Sequence, residues 1–195
     1  MFDWVMEWPT WSIIRVLGIV SYLLLALGMA LGITYSYRFW TKPQKLMVYR
    51  WHYRLTISGT AIGLLHGVFL YIDSYMPFSW REIFVPFTAN EHPVLNGIGT
   101  ISVYGMLLLI LSTDLRNKLN KALWLGIHLL SYPIFVLSLI HGFFLGTDSK
   151  AEGIQYMYGG TVVVIIVLTA LSFLLKGNKV KSARRVEIVE REVRQ

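Results

Sequence analysis

Residues 50–72 read RWHYRLTISGTAIGLLHGVFLYI. A helix needs about 20 mostly apolar residues to cross a hydrocarbon core, and this stretch supplies them. Inside it stand two histidines, His52 and His66. An ionisable side chain within a membrane segment costs free energy unless something holds it. A second stretch, residues 122–146, reads ALWLGIHLLSYPIFVLSLIHGFFLG and carries His128 and His141. The flanks repeat: Leu65-His66-Gly67-Val68-Phe69-Leu70 against Ile140-His141-Gly142-Phe143-Phe144-Leu145. Two matched pairs on two membrane-length segments point to two iron atoms, each held between helices, one above the other. The plainer alternative is four polar residues hydrogen-bonded across a bundle. Near-equal spacing and repeated flanks favour the iron.

Working outward, the whole chain has the composition of a membrane protein. It has 195 residues, 55% hydrophobic and 15% charged, with mean hydropathy +0.54, a balance soluble domains rarely reach. The first apolar stretch lacks a basic n-region and a small-residue cleavage site, so it reads as a retained helix. There is no cysteine, which rules out thiolate clusters, thiolate zinc sites and the Cys-x-x-Cys-His attachment of c-type haem. Any haem would be held without covalent bonds, by histidine or methionine.

The expected architecture is an all-α membrane protein, a five-helix transmembrane bundle. The spans are placed near Ile13–Tyr35, Arg50–Ile72, Val94–Thr113, Ala122–Gly146 and Tyr156–Leu175. The domain would cover residues 1–176, with a basic tail over 177–195. Basic residues fall on one side. Arg38, Lys42, Lys45, Arg50 and Arg54 lie in or near the first loop, Arg116, Lys118 and Lys121 in the third, and seven more follow Leu175. The other side holds Arg15, Arg81 and Lys150 with Asp3, Glu7, Asp73, Glu82, Glu91, Asp148 and Glu152. By the positive-inside rule the N-terminus is outside and the C-terminus cytoplasmic, in a multi-pass protein of the cell membrane. The net charge of +7 is then a topology signal, and nucleic-acid binding is not required to explain it. The tail reads as a solvated anchor, or as an amphipathic segment on the anionic inner leaflet.

This orientation sorts the histidines by depth. His52 and His128 lie toward the cytoplasmic side, His66 and His141 toward the outer side. A rise of 1.5 Å per residue separates His52 from His66 by about 21 Å, and His128 from His141 by about 19.5 Å. Each facing pair would clamp a haem iron through two imidazoles, and two stacked haems would carry electrons across the bilayer. Helical phase brings His52 and His66 to within about 40° of one face but leaves His128 and His141 about 140° apart. Pro133 lies between the latter two, and a proline kink is expected to bring both rings inward.

Supporting residues are less specific. Gly28 and Gly32, Gly59, Gly63 and Gly67, and Gly142 and Gly146 recur at four-residue spacing, as small residues do where helices pack closely. Gly67 and Gly142, each directly after a candidate ligand, are expected to lie against the porphyrin. Ser131 and Ser138 stand three residues from His128 and His141, where they would bond the ligand's other nitrogen or their own helix. Arg50, Arg54 and Lys121 would pair with inner propionates, and Arg81 with outer ones, unless they serve topology alone. His92, beside Pro93 in an outer loop, would lie near the outer haem edge or be merely solvated.

These residues resemble the ferric reductase-like transmembrane domain, shared by NADPH oxidases, ferric reductases and the haem-binding membrane subunit of methionine-sulfoxide reductase systems. The likeness covers about residues 12–176. It rests on His52-x13-His66, on His128-x12-His141 with Leu129-x-x-Tyr132-Pro133, and on Pro93, Gly97 and Ser112-Thr113 before a basic loop. The resemblance implies two haem b groups, His52/His128 inner and His66/His141 outer. Twenty residues follow Leu175, too few for a Gly-rich nucleotide fold. The expected donor is therefore a separate flavoprotein or quinol, with FMN or quinone entering through a partner, as in the methionine-sulfoxide type.

The leading expectation is a transmembrane electron-transfer protein serving an extracytoplasmic acceptor: ferric iron, oxygen or a partner redox protein. It would be an oxidoreductase or an electron-transfer subunit. One rival is a haem-binding anchor subunit without independent activity. Another is a haem-free transporter or proton relay, which the lack of an acidic residue deep in any span weakens.

Overall fold

A computed structural model describes residues 9–74 and 76–193, with side chains described as far as Leu175. Asp3 and Glu7, and the basic side chains of the tail, lie outside the described residues. The regular structure among the described residues is all helical, and five of the helical segments are long and apolar enough to cross a membrane. These are α1 (Thr10–Tyr35), α2 (Lys42–Ile72), α4 (Pro93–Asp114), the pair α5 (Lys121–Leu129) and α6 (Ser131–Leu145), and α7 (Glu152–Val193). A short helix α3 (Trp80–Phe84) precedes α4, and a 3-10 turn (Thr147–Lys150) precedes α7.

The spans begin earlier than hydropathy places them. α2 starts at Lys42, not Arg50, because Gln44 Oε1 reaches back to accept from the Thr41 amide and hydroxyl and Pro43 sits in the first turn. Both features stabilise a helix start whatever the polarity of the next turn. α4 starts on Pro93 and runs unbroken through Gly97 and Gly99. The short α3 has a sequence signature of its own, since Ser79 and Glu82 form a capping box legible as Ser-x-x-Glu.

The expected break near Pro133 is present. α5 ends at Leu129 and α6 begins at Ser131. Proline has no N–H to offer the carbonyl four residues back, and its ring crowds that carbonyl. That carbonyl belongs to Leu129, where α5 stops.

α1 is the central helix, packing against α2, α6 and α7. Tyr22, Ala26, Met29 and Ile33 of α1 form the core with Phe135 of α6 and Tyr158 and Ile165 of α7. Tyr22 stacks on Phe135 with ring centroids 5.6 Å apart, and its hydroxyl lies 2.6 Å from Thr161 Oγ1. α1 and α2 are closest where side chains are smallest. A methyl on Gly59 would stand 2.9 Å from Leu25, and one on Gly28 2.7 Å from Thr56. Ser21 donates to the Gly59 carbonyl at 2.8 Å across that contact. The outer surface carries large apolar side chains, Phe144, Val163, Ile166 and Phe173 among them.

Candidate functional site: two histidine pairs between helices

The bundle brings the four histidines together in the two pairs expected. His52 of α2 faces His128 of α5 with ring centroids 6.3 Å apart. His66 of α2 faces His141 of α6 at 6.4 Å. Helix α2 is continuous between His52 and His66, so the two pairs stand about 21 Å apart along it.

Three of the four rings share one seat. His52 Nδ1 lies 2.7 Å from the Gly28 carbonyl, His66 Nδ1 2.9 Å from that of Ile14, and His141 Nδ1 2.9 Å from that of Leu95. A carbonyl only accepts, so each Nδ1 carries the hydrogen and each Nε2 keeps its lone pair. The space comes from a glycine four residues after the accepting carbonyl. A methyl on Gly32 would stand 2.9 Å from the His52 ring, on Gly99 2.5 Å from that of His141, and on Gly18 3.4 Å from that of His66. With no Cβ there, the imidazole edge reaches a carbonyl on the neighbouring helix. This is the arrangement that fixes the tautomer and raises the basicity of a metal-binding histidine.

His128 departs from the pattern. Its Nδ1 is buried with no acceptor among the described residues, as is Nε1 of Trp124. The two rings, one helical turn apart on α5, stack with centroids 5.3 Å apart. Ser131 and Ser138 do not bond the ring nitrogens that spacing offers them; for three histidines, backbone carbonyls of α1 and α4 do so.

Each pair lines a cavity. The His52–His128 cavity is about 390 Å³ and is bounded by apolar residues such as Leu25, Met29 and Ile110, with Tyr49 and Arg116 also in its wall. The His66–His141 cavity is about 760 Å³. α3 covers part of it, pinned by Thr100 Oγ1 on the Ile83 carbonyl at 3.0 Å and by Tyr104 on the Phe84 carbonyl. Both volumes lie in the range of cofactor sites.

The other predicted residues divide. Gly67 and Gly142 line the larger cavity, as do His92 and Ser138, while Ser131 lines the smaller. The immediate neighbour of Gly67 is Ile83, and that of Gly142 is the Tyr158 hydroxyl. Arg50 and Arg81 are exposed, and Arg54 lies over the Trp51 ring; none of the three lines either cavity. The arginines that do are Arg116 at the smaller and Arg15 at the larger. Arg15 Nη1 donates to Asp148 at 2.6 Å, and its Nε is buried without a protein acceptor. Position in the sequence gave these two no distinction from other basic residues near span ends.

Among the described residues no three His, Cys, Asp or Glu side chains cluster as a bare metal ion would need. The sites are pairs. Haem iron takes four nitrogens from its porphyrin and asks the protein for two. With metal–nitrogen bonds of about 2 Å, two axial imidazoles stand with ring centres roughly 6 Å apart, the spacing seen at both pairs. The donor set, the free Nε2 lone pairs, the spacing and the adjoining cavities all fit such a group. Comparison with protein families, curated proteins and solved structures yields no match for this chain.

Proposed function

We propose that this chain conducts electrons across a membrane through two b-type haems, held by His52 with His128 and by His66 with His141. The observation that carries the reading is the duplicated pair of facing histidines, 6.3 and 6.4 Å apart, each beside its own cavity. Following the positive-inside rule, the His52–His128 site is the cytoplasmic one and the His66–His141 site the outer one. Haem would supply reversible one-electron chemistry at each site.

The chain's own residues do the remaining work. The carbonyls of Gly28, Ile14 and Leu95 hold three imidazoles in the ligating tautomer. Arg116 offers positive charge at the smaller cavity, where a carboxylate of a bound group would be neutralised; Arg15 at the larger one is already paired with Asp148. In this reading a cytoplasmic flavoprotein or quinol donates, and an extracytoplasmic acceptor such as ferric iron, oxygen or a redox partner receives. The likeness of the sequence motifs to the ferric reductase-like domain supports the same reading.

The test is vectorial transfer. Proteoliposomes containing the haem-loaded chain and a trapped reductant should reduce external ferricyanide, and His66→Ala vesicles should not. Equal rates in vesicles with and without the chain would sink the proposal.

A further inference from the structure

We propose that His128 is an exchangeable ligand, so that the inner iron, and not the outer one, opens a coordination position to small neutral ligands such as carbon monoxide. This rests on the two-haem reading and adds an asymmetry that the sequence motifs do not contain.

Three observations carry it. First, His128 is the one histidine of the four whose Nδ1 meets no protein acceptor, whereas His52, His66 and His141 are each tied to a carbonyl. Loss of such a partner typically weakens a metal–histidine bond by about 10–100-fold. Second, His128 lies in the last turn of the nine-residue helix α5, beside the break at Leu130. His52 and His66 lie within the 31 residues of unbroken α2, and His141 lies inside α6. Third, the His128 ring is held in place by a stack on Trp124, with centroids 5.3 Å apart, where the other three are held by a hydrogen bond, and it borders the cavity of about 390 Å³.

The exchange would be a ligand replacement: His128 would release a ferrous iron as carbon monoxide took its place, the imidazole leaving as a neutral ring and no electron moving. His52, tied to the Gly28 carbonyl, would keep its hold.

The experiment is a carbon monoxide titration of the full-length, haem-loaded, dithionite-reduced protein, read by absorbance beside a haem count. The expected result is one carbon monoxide for every two haems, with half-saturation at least about tenfold lower than at the second haem. Two variants assign the site. His128→Ala should still bind one carbon monoxide, now more tightly, or none if it loses the inner haem. His141→Ala should bind two, or keep one if it loses the outer haem. Two haems with no carbon monoxide bound, or two sites of equal affinity, would overturn the asymmetry and leave the two-haem reading standing. A His128→Ala protein binding two would also overturn it, by locating the exchange at the outer site. A chain that takes up no haem overturns both.

Discussion

A methyl group on Gly99 would stand 2.5 Å from Nδ1 of His141, the nitrogen that bonds the Leu95 carbonyl one turn earlier on the same helix. The same relationship links Gly32 to His52 at 2.9 Å, and Gly18 to His66 at a looser 3.4 Å. Backbone cannot retreat as a flexible side chain does, so the ring must leave its carbonyl. Alanine at these positions should therefore harm haem retention in the order Gly99, Gly32, Gly18. For Gly99→Ala the affinity of the outer site should fall by about 10–100-fold, and Gly18→Ala should stay near wild type. Haem titration of the three variants decides it, and a Gly18→Ala protein worse than Gly99→Ala would contradict the seat.

Pro133 orients His128 against His141. Pro133→Ala restores an N–H that can close on the Leu129 carbonyl and continue the helix through Leu130. On a straight helix the two histidines diverge by about 140°, so one haem site should be lost. Haem per chain should fall from two toward one, with the His52–His128 site missing. A variant retaining two bis-histidine spectra would show that the break has another cause.

Asp73 clasps the end of α2 to the start of α1. It is buried, accepts from Thr10 Oγ1 at 2.5 Å, and accepts from the Met76 amide at 3.0 Å. Asp73→Ala removes the acceptor for both and should cost about 1–3 kcal/mol, seen as a lower Tm in detergent with haem sites otherwise intact. An unchanged Tm would mean the clasp carries no stability.

Glu82 gives α3 a pH dependence. The backbone N–H groups of Ser79 and Asn90, then the Ser79 hydroxyl, hold its carboxyl below the ordinary range. A depressed folded-state pKa means stability that is full above the unfolded value and lost as pH falls through the folded one. Hydrogen-exchange protection of the Ser79 and Asn90 amides, referred to free-chain rates at each pH, should hold down through pH 5. It should fall only below the normal glutamate pKa of about 4.3. Glu82→Gln should lack that step, and a step at pH 6 in the native protein would count against the assignment.

Much of this site was legible in the sequence because it is written in long-period features. Two histidine-bearing apolar stretches gave the pairs, and one proline between His128 and His141 gave the break. What stayed hidden depends on contacts between distant segments. Nothing near Gly18 or Gly99 announces that a ring from another helix will rest there, and Gly67 and Gly142 drew attention only by adjacency to histidines. Loop position points to Arg50, Arg54 and Arg81, whereas the cavities select Arg116 and Arg15 by where the helices place them. The early start of α2 was missed because hydropathy does not see a cap, though Thr41, Pro43 and Gln44 spell one out.

The central claim is that each facing pair of histidines holds one haem. A quantitative haem count with a reduced-minus-oxidised spectrum of the purified full-length chain tests it most directly. The account predicts two low-spin b-type haems per polypeptide, with His52→Ala and His66→Ala each removing a different one. No b-type signal, a single haem per chain, or the same haem lost in both variants would contradict it.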